Sequence, residues 1–111
     1  MHAVLITFDS AASLDDLAAP FAAYAEAVRE TPGLASKIWL NDGATCGGFH
    51  LFTDRASAEG YLVSDLFAGI RSNPAFSRLR IEHFTVLDDL TAVTGGALAA
   101  PALTLAARGD R

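Results

Sequence analysis

With a single cysteine, Cys46, this 111-residue chain cannot close an intrachain disulfide. The fold must be held by its core, and a reducing cytoplasm is its expected home. Basic residues are also sparse. Eight Lys and Arg against 13 Asp and Glu give a net charge of −5, and the eight are scattered from Arg29 to Arg111. No basic stripe could track a phosphate backbone, which argues against a nucleic-acid partner. Although 51 % of residues are hydrophobic, no apolar run approaches the roughly 18–20 residues of a membrane span, so no membrane partner is expected. The opening MHAVLITF has neither a cationic leader nor a small-residue cleavage site, so neither a signal nor a transit peptide is expected. His2, His50 and His83 stand singly on different elements, which leaves no metal-ligating set. Gly47–Gly48 lies inside a strand with no following lysine or helix start, which excludes a phosphate loop. No Ser-His-Asp arrangement can be argued from spacing. The length fits one domain with its own core.

What is there alternates between two periodicities. His2 to Phe8 reads as a first strand. Ser13 then precedes LDDLAAPFAAYAEAVRE, with Asp15 and Asp16 in the first turn as a helix N-terminus prefers. Leu14, Leu17, Phe21, Tyr24 and Val28 fall on one helical face. Pro20 interrupts this stretch, and the helix proper is expected to begin there, where a missing N–H costs nothing. Thr31-Pro32-Gly33 ends it.

Ala35–Leu40 and Cys46–Thr53 read as the next two strands, joined by NDGAT around an Asp-Gly hairpin step. With Asp42 and Gly43 as the turn residues, Trp39 faces Cys46, Lys37 faces Gly48, and Ala35 faces His50. Lys37, Trp39, Cys46, Gly48, His50 and Phe52 then share one face, and Ile38, Leu40, Phe49 and Leu51 the other. The second set looks like the helix-packed face. On the first, Gly48 leaves room above the backbone, or permits a bulge or the close approach of another backbone.

Asp54 caps a second helix, RASAEGYLVSDLFAGIRS, read as continuous, with Ala58, Leu62, Leu66 and Ile70 on its apolar face. Asn73–Pro74 stops it. Leu79 to Leu87 is the fourth strand. The order β-α-β-β-α-β is the ferredoxin-like α+β pattern. Helices cover only one sheet face in that fold, so a second copy is the expected cover of the other. The domain spans residues 1–93. Residues 94–111 form a low-complexity tail, read either as flexible or as packed on the partner subunit.

The candidates for chemistry lie on strands. His50 reads either as a sheet histidine satisfied by a backbone carbonyl or as a catalytic base beside Gly48. His83 carries the same two readings. Trp39 is core or a wall on which a flat ligand stacks. Lys37 is solvated or holds an anionic substrate. Tyr61 packs at the edge of the second helix or reaches the pocket, and Gly48 and Phe52 complete the substrate-binding set. Cys46, with no basic neighbour, is read as inert packing.

These pieces resemble the YdhR family of small mono-oxygenases within the dimeric α+β barrel group. The resemblance rests on TPG after the first helix, KIW at Lys37–Trp39, GGFHLFTD at Gly47–Asp54, SAEGYL at Ser57–Leu62 and FTVLDDLT at Phe84–Thr91, and it spans Met1 to Val93. It implies a homodimer whose sheets face each other, with a pocket for a small apolar or aromatic ligand in each protomer. Related barrels include quinone-forming oxygenases that need neither flavin, haem nor metal, so no cofactor is expected. They also include isomerases and polyketide-tailoring enzymes. Three functions remain open: a cofactor-independent mono-oxygenase oxidising a phenol to a quinone, an isomerase or cyclase of polyketide-like substrates, and a ligand-binding dimer without turnover. A titratable group pointing free into a cavity favours the enzymes.

Overall fold

The computed structural model describes residues 1–95. The elements are β1 (His2–Ser10), α1 (Leu14–Val28), β2 (Leu34–Asp42), β3 (Thr45–Phe52), α2 (Arg55–Leu62), α3 (Asp65–Arg71), β4 (Phe76–Thr85) and α4 (Asp88–Val93). The strands form one antiparallel sheet in the order β2-β3-β1-β4, the ferredoxin-like α+β arrangement expected from the element order. Thr94 and Gly95 turn out of α4, and the rest of the expected tail lies outside the described residues. No described helix is long and apolar enough to cross a membrane.

Side-chain caps set the helix starts. Ser13 accepts from the Asp16 N–H at 3.1 Å, so α1 begins at Leu14 and Pro20 lies inside it rather than opening it. The helix goes without the hydrogen bond that the Pro20 nitrogen would have donated to the Asp16 carbonyl; the cap and the apolar face carry it through. The expected continuous second helix is instead two. Ser64 Oγ accepts from the Phe67 N–H at 3.2 Å and donates to the Tyr61 carbonyl at 2.6 Å, closing α2 and opening α3. Ser64-Asp65 repeats the cap-then-acid signature seen at Ser13, so the break was readable. The fourth strand starts three residues earlier than expected, at Phe76, and Asp88 and Asp89 open a short α4 that the strand reading passed over.

The hairpin register also differs. Trp39 pairs with Gly48 and Lys37 with His50, because the turn residues are Gly43 and Ala44 rather than Asp42 and Gly43. Of these two, Gly43 has positive φ, at 63°, which is the demand of a turn with Gly at its first central position. Asn41 Nδ2 fastens this turn by donating to the Gly43 carbonyl at 3.1 Å. A shift of two residues keeps every side chain on its face, so the grouping survives.

The direction of the two faces is the larger correction. The face carrying Val4, Ile6, Phe8, Cys46, His50 and Phe52 packs against the helices, where it meets Leu17, Val28, Ala58, Tyr61 and Phe67. Ile38, Leu40, Phe49 and Leu51, expected to be the helix-packed set, lie on the open face. Both faces are apolar, and alternation orders residues within a face without saying which face the helices choose. On the open side, Ala3, Leu5, Phe49, Leu51, Phe84 and Leu90 line a concavity of about 710 Å³. Ile38 and Phe84 remain 48 % and 49 % exposed there. Gly47 is fixed by close approach within the chain: a Cβ there would stand 2.9 Å from Thr7 Cα on β1, so the first glycine of the pair serves strand packing.

Candidate functional site

On β3, His50 is turned inward between sheet and helices and is 2 % exposed. Its Nδ1–H donates to the Val4 carbonyl at 3.2 Å. Since a carbonyl only accepts, this bond fixes the tautomer and leaves Nε2 with its lone pair. Among the described residues that Nε2 is the buried side-chain polar atom without a partner. Burial first, and the Lys37 charge second, lower the His50 pKa to about 4, so the ring is neutral at pH 7 and Nε2 is free to take a proton. Phe52, fully buried, stacks behind the ring at 6.2 Å and 8°.

Lys37, the register partner of His50 on β2, crosses above Gly48. A Cβ on Gly48 would come within 2.6 Å of Lys37 Cε and 2.9 Å of His50 Cε1. The space left by this glycine is therefore filled by the Lys37 and His50 side chains. The Lys37 ammonium lies 3.7 Å from the Trp39 ring centroid and 5.1 Å from that of Tyr24. Burial lowers its pKa to about 8.

The roof comes from the helices. Tyr24 on α1 and Tyr61 on α2 share a hydroxyl–hydroxyl hydrogen bond of 2.6 Å. Burial is the main cause raising both phenols above the ordinary tyrosine range, so both stay protonated. The Tyr61 ring lies 5.6 Å from His50, and Tyr24 meets Trp39 edge-on at 6.4 Å. Together these groups enclose a chamber of about 20 Å³, room for roughly one water. A groove of about 400 Å³ runs outside it between α1 and α3, and Phe21, Tyr24 and Ile70 line both spaces.

The structure thus brings together His50, Lys37, Trp39, Gly48 and Tyr61. Phe52 backs the site without lining the chamber. His83 stands apart: Val4 of β1 separates it from His50 in the sheet, and its Nδ1 meets His2 Nε2 at 2.8 Å. Cys46 packs with Phe8 and Leu17. Tyr24, Phe21 and Ile70 were not singled out as site residues from the sequence. The one available signal was a tyrosine inside the apolar stripe of α1, where a hydroxyl needs a partner. No group of three or more His, Cys, Asp or Glu that could hold a metal occurs among the described residues.

Residues 4–97 match the family model described as "Putative mono-oxygenase ydhR". No curated protein matches the sequence. Among solved structures, the chain is similar to SnoaB, a cofactor-independent oxygenase from Streptomyces nogalater, at 16 % identity and a TM-score of 0.63, covering 77 % of this chain and 91 % of that one. A "putative antibiotic biosynthesis monooxygenase" from Deinococcus radiodurans is 14 % identical with a TM-score of 0.65 over 78 % and 92 % of the two chains. A protein of unknown function from Nitrosomonas europaea is 21 % identical with a TM-score of 0.59 over 78 % and 88 %. At these identities the likeness is one of fold.

Proposed function

This chain belongs to the ydhR mono-oxygenase family, and from that premise we propose that it is a cofactor-independent mono-oxygenase of an aromatic or polyketide-like phenol, working as a cytoplasmic homodimer. The observation that carries the proposal is the unpartnered Nε2 of His50, a lone pair held in an aromatic chamber. The acyl-free, metal-free chemistry asked of such a site is modest: make an anion and exclude water. His50 Nε2 takes the phenolic proton. The resulting anion lies against Trp39, and the Lys37 charge that weakens His50 as a base also stabilises that anion. The anion passes an electron to O₂, and the radical pair joins at a ring carbon as a peroxide, which recovers the proton from the imidazolium. Loss of the ring-carbon hydrogen then cleaves the O–O bond. One oxygen stays as the quinone carbonyl and the other leaves as water, so the substrate supplies all the electrons. A bicyclic or tricyclic ligand fits the outer groove, whose volume falls in the range of small-molecule sites; Phe21, Tyr24 and Ile70 stand between that groove and the chamber, so reaching His50 requires them to turn aside.

Oxygen consumption and product mass, measured for protein treated with chelator and supplied with anthrone- and naphthol-type phenols, test this. Uptake matched by quinone supports the oxygenase. A rearranged product of equal mass with a flat oxygen trace moves the assignment to an isomerase or cyclase, and binding without product to a carrier.

Homodimer formation is supported by the open face of the sheet, where Ile38, Leu40 and Phe84 are exposed together, since a contiguous exposed apolar patch marks an interaction surface. Phe84→Asp, placed on this face and away from the chamber, is expected to shift the protein from dimer to monomer in sedimentation velocity. A wild type that sediments as a monomer contradicts the dimer.

A further inference from the structure

Lys37 is a half-buried cation without a counter-ion. No carboxylate pairs with it among the described residues; Asp9 pairs with Arg78 and Arg80, Glu59 with Arg55, and Glu26 and Glu30 with Arg29. On the chamber side the titratable groups that line it are neutral, His50 on β3 with Tyr24 on α1 and Tyr61 on α2, the last two bonded to each other; on its outer side the one charged group sharing its cleft among the described residues is another cation, Arg29. What surrounds the ammonium is aromatic, with Trp39 at 3.7 Å. Ring faces compensate a cation only in part, and an ammonium in such surroundings is stabilised by an arriving anion far more than a solvated one would be. Opposite it in the register stands a second unsatisfied group, His50 Nε2, which accepts. The chamber therefore presents one cation lacking an anion beside one acceptor lacking a donor.

We propose that the substrate of this site is a planar hydroxyaryl acid, whose anionic oxygen pairs with Lys37 Nζ while its neighbouring hydroxyl donates to His50 Nε2 and its ring packs among the aromatic side chains around them. The inference rests on the reading of the chamber as the substrate site and deepens it. A phenol lacking the acid satisfies His50 but leaves the ammonium unpaired; a naphthoate lacking the hydroxyl does the reverse. Only a ligand with both functions, on one flat ring system, meets both demands.

Isothermal titration under argon with 1-hydroxy-2-naphthoate, 2-naphthoate and 1-naphthol tests the assignment without turnover. The hydroxy acid is expected to bind roughly tenfold or more tighter than either single-function probe, as charged hydrogen bonds in a buried site imply. Lys37→Met is expected to bring the hydroxy acid down to the level of 1-naphthol in the same variant, and Lys37→Arg to retain the preference. Raising the pH through about 8, where Lys37 loses its proton, removes the preference in the wild type only. Equal affinity for 1-naphthol and the hydroxy acid overturns the proposal, as does a preference that survives in Lys37→Met or the absence of binding by all three probes. The two readings fail separately. Oxygen uptake with simple phenols but no acid preference removes this inference alone, and acid-selective binding with a flat oxygen trace removes the oxygenase alone.

Discussion

Alanine at position 50 is expected to lower oxygen uptake by about 10²–10⁴-fold, the usual worth of a positioned base, while ligand affinity changes little. The pH profile carries the more specific signature. Nε2 must be unprotonated to act, so kcat/KM rises with pH through the His50 pKa of about 4 and is flat by neutrality. On the alkaline side it falls as Lys37 deprotonates near pH 8 and the substrate anion loses its partner. His50→Ala loses the acid limb and keeps the alkaline one. A stability measurement accompanies it. The folded pKa of His50 lies below the unfolded value of 6.5, so the folded state resists protonation. Stability is complete above pH 6.5 and is lost as pH falls toward about 4, by on the order of 3 kcal/mol for this buried ring. Denaturation midpoints across that window report the slope, which the alanine variant lacks. An unchanged rate in a folded His50→Ala protein contradicts the assignment of the base.

Gly48→Val acts on the same chamber by volume. The new Cβ would stand 2.6 Å from Lys37 Cε and 2.9 Å from His50 Cε1. The lysine stem can yield, but the imidazole is held by the Val4 carbonyl and backed by Phe52, so the valine methyls take the space in which Lys37 and His50 meet a ligand. Binding is expected to weaken by roughly hundredfold or more. The dimer is expected to persist, because Gly48 faces the helices and the open face is untouched. Size-exclusion chromatography and calorimetry on the same sample check both halves. Loss of the dimer with ligand binding intact would reassign Gly48 to the subunit interface.

Much of the fold was legible because local signals agreed. Ser13 and Asp54 are caps, Gly33 and Gly43 have positive φ where turns need it, and the alternation of β2 and β3 by itself groups Lys37, Trp39, Gly48 and His50 on one face. Three features were not. Sheet alternation is blind to which face the helices take when both are apolar, and here a lysine lies on the helix side because Trp39 and Tyr24 shelter its ammonium. The hairpin register turned on one residue, Gly43, serving as the first rather than the second central residue. The division of α2 from α3 was written in Ser64-Asp65 but hidden by apolar periodicity running through it. The site followed the same logic: its strand residues share a face and could be grouped, whereas Tyr24, Phe21 and Ile70 join it only through packing of α1 and α3, which no local pattern encodes. His83 was a candidate by residue type alone; it stands opposite Val4 on β1, and its ring meets His2, two residues away on the same face of that strand.

The claim at the centre of this account is that the protein places one atom of O₂ into its substrate with no cofactor, using His50 as base. Turnover of an anthrone or hydroxynaphthoate under ¹⁸O₂ by chelator-treated protein, read by mass spectrometry of the product, tests it most directly. The account predicts a quinone carrying a single ¹⁸O, with label in water for the other atom, formed about 10²–10⁴-fold more slowly by His50→Ala. A product of unchanged mass and without label contradicts it.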